Sequence, residues 1–71
     1  MKTTKISKLT APELDHYRTL ANFTDDEMDY FNMKARDDSN VKIAIDLGFS
    51  ESKVSDLASR VKAKMATVDT F

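Results

Sequence analysis

Apolar residues recur at helical rather than strand spacing along most of this chain. Leu14, Tyr17 and Ala21, with Leu20 beside them, follow at steps of three and four, the period that lines one face of an α-helix. Just ahead of them, Thr10-Ala11-Pro12-Glu13 offers a capping hydroxyl, a proline where no amide donor is missed, and a glutamate three residues after the cap. Thr24-Asp25-Asp26-Glu27 repeats the capping pattern and predicts a second helix. Met28, Phe31 and Ala35, flanked by Tyr30 and Met33, are its expected buried stripe. Asp37-Asp38-Ser39 is a polar connection into a short third helix over about Asn40 to Leu47, stopped by Gly48, which supplies the left-handed backbone of a helix end. Ser50 caps a fourth helix with Val54, Leu57, Ala58, Val61 and Met65 on a single face.

One glycine and one proline leave little for the repeated turns of a strand-rich fold. The expected class is therefore all-α. With 71 residues the chain holds one core at most, assigned to residues 10–65 between a basic N-terminal tail over 1–9 and a C-terminal tail over 66–71. The first tail suits contact with an anionic partner or simply keeps the end soluble, and terminal Phe71 is a candidate to dock into a groove. Cysteine is absent, which removes disulfides, thiolate metal sites and cysteine nucleophiles and suits a reducing compartment. The basic start lacks the apolar run of a signal peptide, and no stretch of about 18 apolar residues occurs. A cytoplasmic chain without a membrane partner is expected.

Charge changes the picture through its distribution. The whole is near neutral, with 11 basic and 12 acidic side chains, short of the footprint of a strong nucleic-acid binder. Residues 1–38 carry six basic against eight acidic side chains, whereas residues 39–65 carry five against three, so an anion-facing surface is expected in the second half. Asp25, Asp26 and Glu27 are assigned to the positive end of a helix dipole rather than to a metal, since consecutive carboxylates diverge and no histidine completes a set. His16, the only histidine, is placed on an exposed flank of the first helix. No catalytic residue, metal ligand or cofactor is assigned, and enzyme activity is not expected. Tyr17, Phe23, Phe31 and Phe49 are read as core, and Tyr30 as either core or a stacking surface.

The most informative stretch runs from Asn40 to Leu57. Small Ala44 lets two helices approach closely, Gly48 makes the turn, Phe49 fills the space beneath it, and Ile43, Leu47, Val54 and Leu57 form the wedge between crossed helices. In this it resembles a helix-turn-helix made of the third and fourth helices. Upstream, Phe23-Thr24, Glu27, Tyr30-Phe31, Met33, Ala35, Ser39-Asn40 and Ile43-Ala44 extend the likeness. Over Phe23 to Met65 the chain is similar to the C-terminal DNA-binding domain of LuxR-type response regulators and to sigma-factor region 4. Asp37 stands where such domains commonly have glycine, a substitution that aspartate's tolerance of unusual turns accommodates.

The resemblance implies that the helix after the turn enters the DNA major groove. Of the residues there, Ser52, Ser55, Asp56, Ser59 and Ala63 fall opposite the apolar face at 100° per residue, with Lys53, Arg60 and Lys62 beside them. The expected DNA-binding residues are Lys42, Ser50, Ser52, Lys53, Ser55, Asp56, Ser59, Arg60 and Lys62. Serine hydroxyls bond phosphates or base edges, and Asp56 is suited to accept from a cytosine amino group. Charged phosphate contacts would come from Lys42, Lys53, Arg60, Lys62 and Lys64. Glu51 and Asp56 oppose phosphate. The expected function is a small DNA-binding transcriptional regulator, sequence-specific or non-specific, of the kind found in bacteria and their mobile elements. Double-stranded DNA is its partner, and the chain is a candidate homodimer. The alternative is a protein-interaction module on the same fold, in which the strip of serine and alanine lets a second helix pack closely.

Overall fold

A computed structural model describes residues 6–69. A short 3₁₀ turn, Ile6–Lys8, precedes α1 (Ala11–Leu20), α2 (Asp25–Ala35), α3 (Asn40–Leu47) and α4 (Glu51–Asp69). No strand occurs among the described residues, so the domain is all-α.

Each helix begins on a side-chain hydroxyl. Thr10 Oγ1 accepts from the Glu13 amide while the Glu13 carboxylate accepts from the Thr10 amide, and Thr24 and Glu27 repeat this reciprocal arrangement at α2. Ser39 Oγ accepts from the Lys42 amide and Ser50 Oγ from the Lys53 amide, both at 3.1 Å. Amides that the helix cannot satisfy are thus bonded locally.

Two of the helix ends share one geometry. At the end of α3, Gly48 adopts φ +70°, the Phe49 amide donates to the Ala44 carbonyl at 2.9 Å, and the Gly48 amide donates to Ile45 at 3.4 Å. At the end of α2, Asp37 adopts φ +66°, with Asp38 donating to Met33 at 3.2 Å and Asp37 to Lys34 at 2.9 Å. Both are the paired bonds of a Schellman stop. Aspartate thus takes the left-handed position in one and glycine in the other.

The core gathers Tyr30, Phe31 and Met33 of α2, Ile43 and Ala44 of α3, and Val54, Leu57, Val61 and Met65 of α4. Phe31 is completely buried and stacks at a tilt on Phe23, ring centroids 4.9 Å apart. Leu47 and Phe49, expected inside, are half-buried and pack against this cluster. Of the expected α2 stripe, Tyr30, Phe31 and Met33 are buried, Met28 and Ala35 are half-covered, and Glu27 joins the buried side.

Glu27 is the unexpected member of that face. It is 2% exposed, accepts from the Thr24 amide, and is paired with the Lys64 ammonium of α4. Lys64 also donates to the Asn22 carbonyl at 3.0 Å. Its hydrogen bond from Lys64 holds the Glu27 carboxyl below its ordinary value, against a desolvation that acts the other way.

Both expected tails are shorter than composition suggested. Ile6 and Leu9 pack against the core, because the 3₁₀ turn lies along α2 and gives its apolar side a cover. At the other end α4 continues through Asp69. Val68 extends the buried stripe one step beyond Met65, Thr67 Oγ1 donates to the Ala63 carbonyl, and the Tyr17 hydroxyl of α1 donates to Asp69. Packing, not propensity, carries the helix past residue 65. Phe71 lies outside the described residues.

Three outcomes follow from these contacts. A Cβ added at Gly48 would meet nothing within 4 Å, so Gly48→Ala should lose only about 1–2 kcal/mol of backbone energy, measured by chemical denaturation, and Gly48→Asn should lose less. Glu27 has a depressed folded-state value, so its contribution is present above its ordinary pKa of 4.5 and disappears as pH falls through the lower folded one. Glu27→Gln should cost about 1–3 kcal/mol near neutrality and flatten the acid limb of a stability-against-pH curve. The Tyr17 hydroxyl is raised from 10.0 to about 12, first by its bond to Asp69. That contact is therefore fully present below 10 and is lost as pH rises through about 12. Asp69→Asn should return the Tyr17 tyrosinate absorbance transition toward its ordinary position.

Candidate nucleic-acid interface

α4 has one buried side and one open one. Val54, Leu57, Val61, Met65 and Val68 face inward. Ser52, Ser55, Asp56, Ser59 and Ala63 are all exposed, on the opposite side at 100° per residue. At 19 residues the helix is about 28 Å long, and its outer side bears no large apolar side chain. Serine hydroxyls along such a surface are short and both donate and accept, so they bond a polar partner that approaches closely.

Three of the expected cations are engaged with carboxylates. Arg60 Nε lies 3.1 Å from Asp56 one turn earlier. Lys53 reaches 3.2 Å from Asp26 of α2 while its ammonium sits 4.4 Å from the centre of the Phe49 ring. On α3, Lys42 pairs with Asp46 at 2.8 Å, which raises the lysine pKa. Lys62 is exposed. Solvent-exposed pairs of this kind contribute little to stability.

Two expected contacts need revision. Lys64 is turned inward to Glu27 and Asn22, which takes it off the phosphate-facing set because the buried carboxylate would be left unpaired without it. Ser50 is exposed, but its Oγ accepts from the Lys53 amide, so it serves the helix start first. The remaining expected residues fall on two surfaces: Lys42 on α3, and Ser52, Lys53, Ser55, Asp56, Ser59, Arg60 and Lys62 on α4.

Tyr30 is core and not a stacking surface: it is 4% exposed and its hydroxyl donates to Asn40 Oδ1 at 3.2 Å. Burial raises its pKa. His16 is exposed and meets Tyr17 edge-on. An open groove of about 580 Å³ runs past Leu14, Met33, Ala35 and Leu47, with Arg18, Asp29, Asn32 and Arg36 also lining it. Arg18 there is held by Asn32 and Asp15, each at 2.9 Å. Among the described residues no three of His, Cys, Asp and Glu gather as a metal site, and no helix is long and apolar enough to cross a membrane.

The feature sequence reasoning missed is the inward pairing of Glu27 with Lys64. Each residue carries an ordinary local signal, a capping-box glutamate and a basic residue toward a helix C-terminus, and nothing in either announces the other 37 positions away. No family model matches the chain, and neither does any curated protein or solved structure.

Proposed function

We propose that the chain is a small cytoplasmic DNA-binding regulator of transcription, in which α3, the Gly48 turn and α4 act as a helix-turn-helix and the outer face of α4 enters the major groove. The observation that carries this reading is the composition of that face: Ser52, Ser55, Ser59 and Ala63 are small and exposed, and Lys53, Arg60 and Lys62 flank them on a helix anchored along its whole inner side. A recognition helix needs this combination, since small side chains let the backbone approach base edges while cations at the margins meet phosphates.

The Asp56–Arg60 pair gives the face an internal brake. Asp56 opposes phosphate and neutralises the arginine beside it, so non-specific binding is held down. A cytosine amino group at the right position would satisfy Asp56 and release Arg60 for a phosphate or guanine. Discrimination then comes from the cost of leaving Asp56 unsatisfied on the wrong sequence.

A titration with mixed-sequence duplex tests the assignment. With Lys64 withdrawn, Lys42, Lys53, Arg60 and Lys62 supply three or four phosphate contacts per chain, and affinity should fall roughly 40- to 150-fold between about 50 and 200 mM salt. Asp56→Ala should strengthen random-duplex binding, and the double variant Ser55→Lys/Ser59→Lys should do so while keeping its helical content. If neither variant gains affinity and the folded parent retards no duplex at low salt, the α4 face is a protein interface instead.

A further inference from the structure

α3 places apolar side chains on both of its sides. Ile43 is completely buried and Ala44 nearly so. Val41 and Ile45, one turn apart and diametrically across from Ile43 at 100° per residue, are 57% and 73% exposed. Leu20 of α1 is the one other large apolar side chain so exposed among the described residues. Single exposed apolar residues are ordinary. Here two adjacent β-branched residues sit at solvent positions of an eight-residue helix, where they are mostly exposed and are weaker helix formers than alanine.

Beside this apolar pair runs a charged one. Lys42 and Asp46, also one turn apart, continue the same exposed side of α3 and are joined at 2.8 Å. The face therefore reads, across its width, as two apolar positions followed by one cation and one anion. We propose that this face docks against the same face of a second copy of the chain, the two α3 helices lying antiparallel about a two-fold axis at the height of residues 43 and 44.

The order of the four residues is what selects this occupant. In the antiparallel arrangement Val41 of each copy meets Ile45 of the other, and Lys42 meets Asp46, every contact being made twice by symmetry. The pattern is complementary to itself in both hydrophobicity and charge. A uniformly acidic or basic partner would satisfy one charge and repel the other. Exchange of the two internal Lys42–Asp46 pairs, one in each copy, for two pairs between copies costs little, because both side chains are exposed.

Its size sets the strength. Eight residues of helix span about 12 Å, so the contact falls below the area of a standard stable interface, and the dimer forms only at high protein concentration or where a common partner holds two copies together. The proposal does not require that α4 read DNA, and its test uses no DNA; a Lys42 engaged between copies leaves Lys53, Arg60 and Lys62 for phosphate.

Sedimentation velocity over a range of concentration reads the association directly. The parent chain should show a rising weight-average mass, and Ile45→Glu should weaken association at least about tenfold with circular dichroism unchanged. Lys42→Asp places two carboxylates on the face, and Asp46→Lys places two ammonium groups there. Each variant alone should associate less than the parent, and an equimolar mixture should associate more tightly than either, since unlike copies form both charge pairs. A parent that stays monomeric to millimolar concentration, undiminished association of Ile45→Glu, or a mixture no tighter than its components would each overturn the proposal. So would association abolished by Ser55→Lys/Ser59→Lys and untouched by Ile45→Glu, which would put the interface on α4.

Discussion

A buried carboxylate holds the corner on which the rest of this small domain is assembled. Glu27 starts α2 through the Thr24 amide and meets Lys64 in the C-terminal third of α4. Lys64 in turn satisfies the carbonyl of Asn22, the residue in left-handed conformation that closes α1. One ion pair therefore fixes the α1–α2 connection, the first turn of α2 and the lateral position of α4. Burying an unpaired carboxylate would cost far more than the pair returns, so the contact specifies the packing more than it adds stability. The lysine side chain remains a third exposed, which leaves part of the ammonium's hydration in place and moderates the penalty.

Packing around this corner explains which sequence signals could be read and which could not. Capping is local: a hydroxyl and the residue three positions later determine it, so Thr10, Thr24, Ser39 and Ser50 all start helices where the sequence places them. Gly48 is legible for the same reason, and Asp37 nearly so, since a left-handed residue between two helices needs either glycine or a short polar side chain. The buried face of α2 was read only in part, because hydrophobicity grouped Met28 and Ala35 with Tyr30, Phe31 and Met33 and left out Glu27. In the fold a charged residue, Glu27, lies inward and brings Tyr30 with it. That choice is made by Lys64, outside any local window. The ends of the domain fail in the same way: Ile6, Leu9 and Val68 acquire their role only from partners far along the chain.

The candidate site was legible in its residues more than in its electrostatics. Helical periodicity alone puts Ser52, Ser55, Asp56, Ser59 and Ala63 on the open side of α4, and they are exposed there. A count of basic residues suggested five charges for an anionic partner, but sequence does not say how side chains are shared. Lys64 is committed to the interior, and Lys42, Lys53 and Arg60 each have a carboxylate within 3.2 Å. Three of the remaining basic side chains are therefore already paired with aspartates.

This arrangement separates the duties of α4 by angle. Its inner side is fully occupied by Val54, Leu57, Val61, Met65 and Val68, and Lys64 on the adjoining flank locks the helix to α2. Rotation of α4 about its axis would pull Lys64 from Glu27 and expose the apolar stripe together, so the outer face is held at a fixed angle without any contact of its own. Side chains there are free to change with little effect on stability, because none of the outward serines enters the core. The same logic applies to α3, where Ile43 and Ala44 fix the helix from within and leave Val41 and Ile45 as surface positions. A domain of this size has few ways to present a rigid surface, and here the Glu27–Lys64 pair serves orientation.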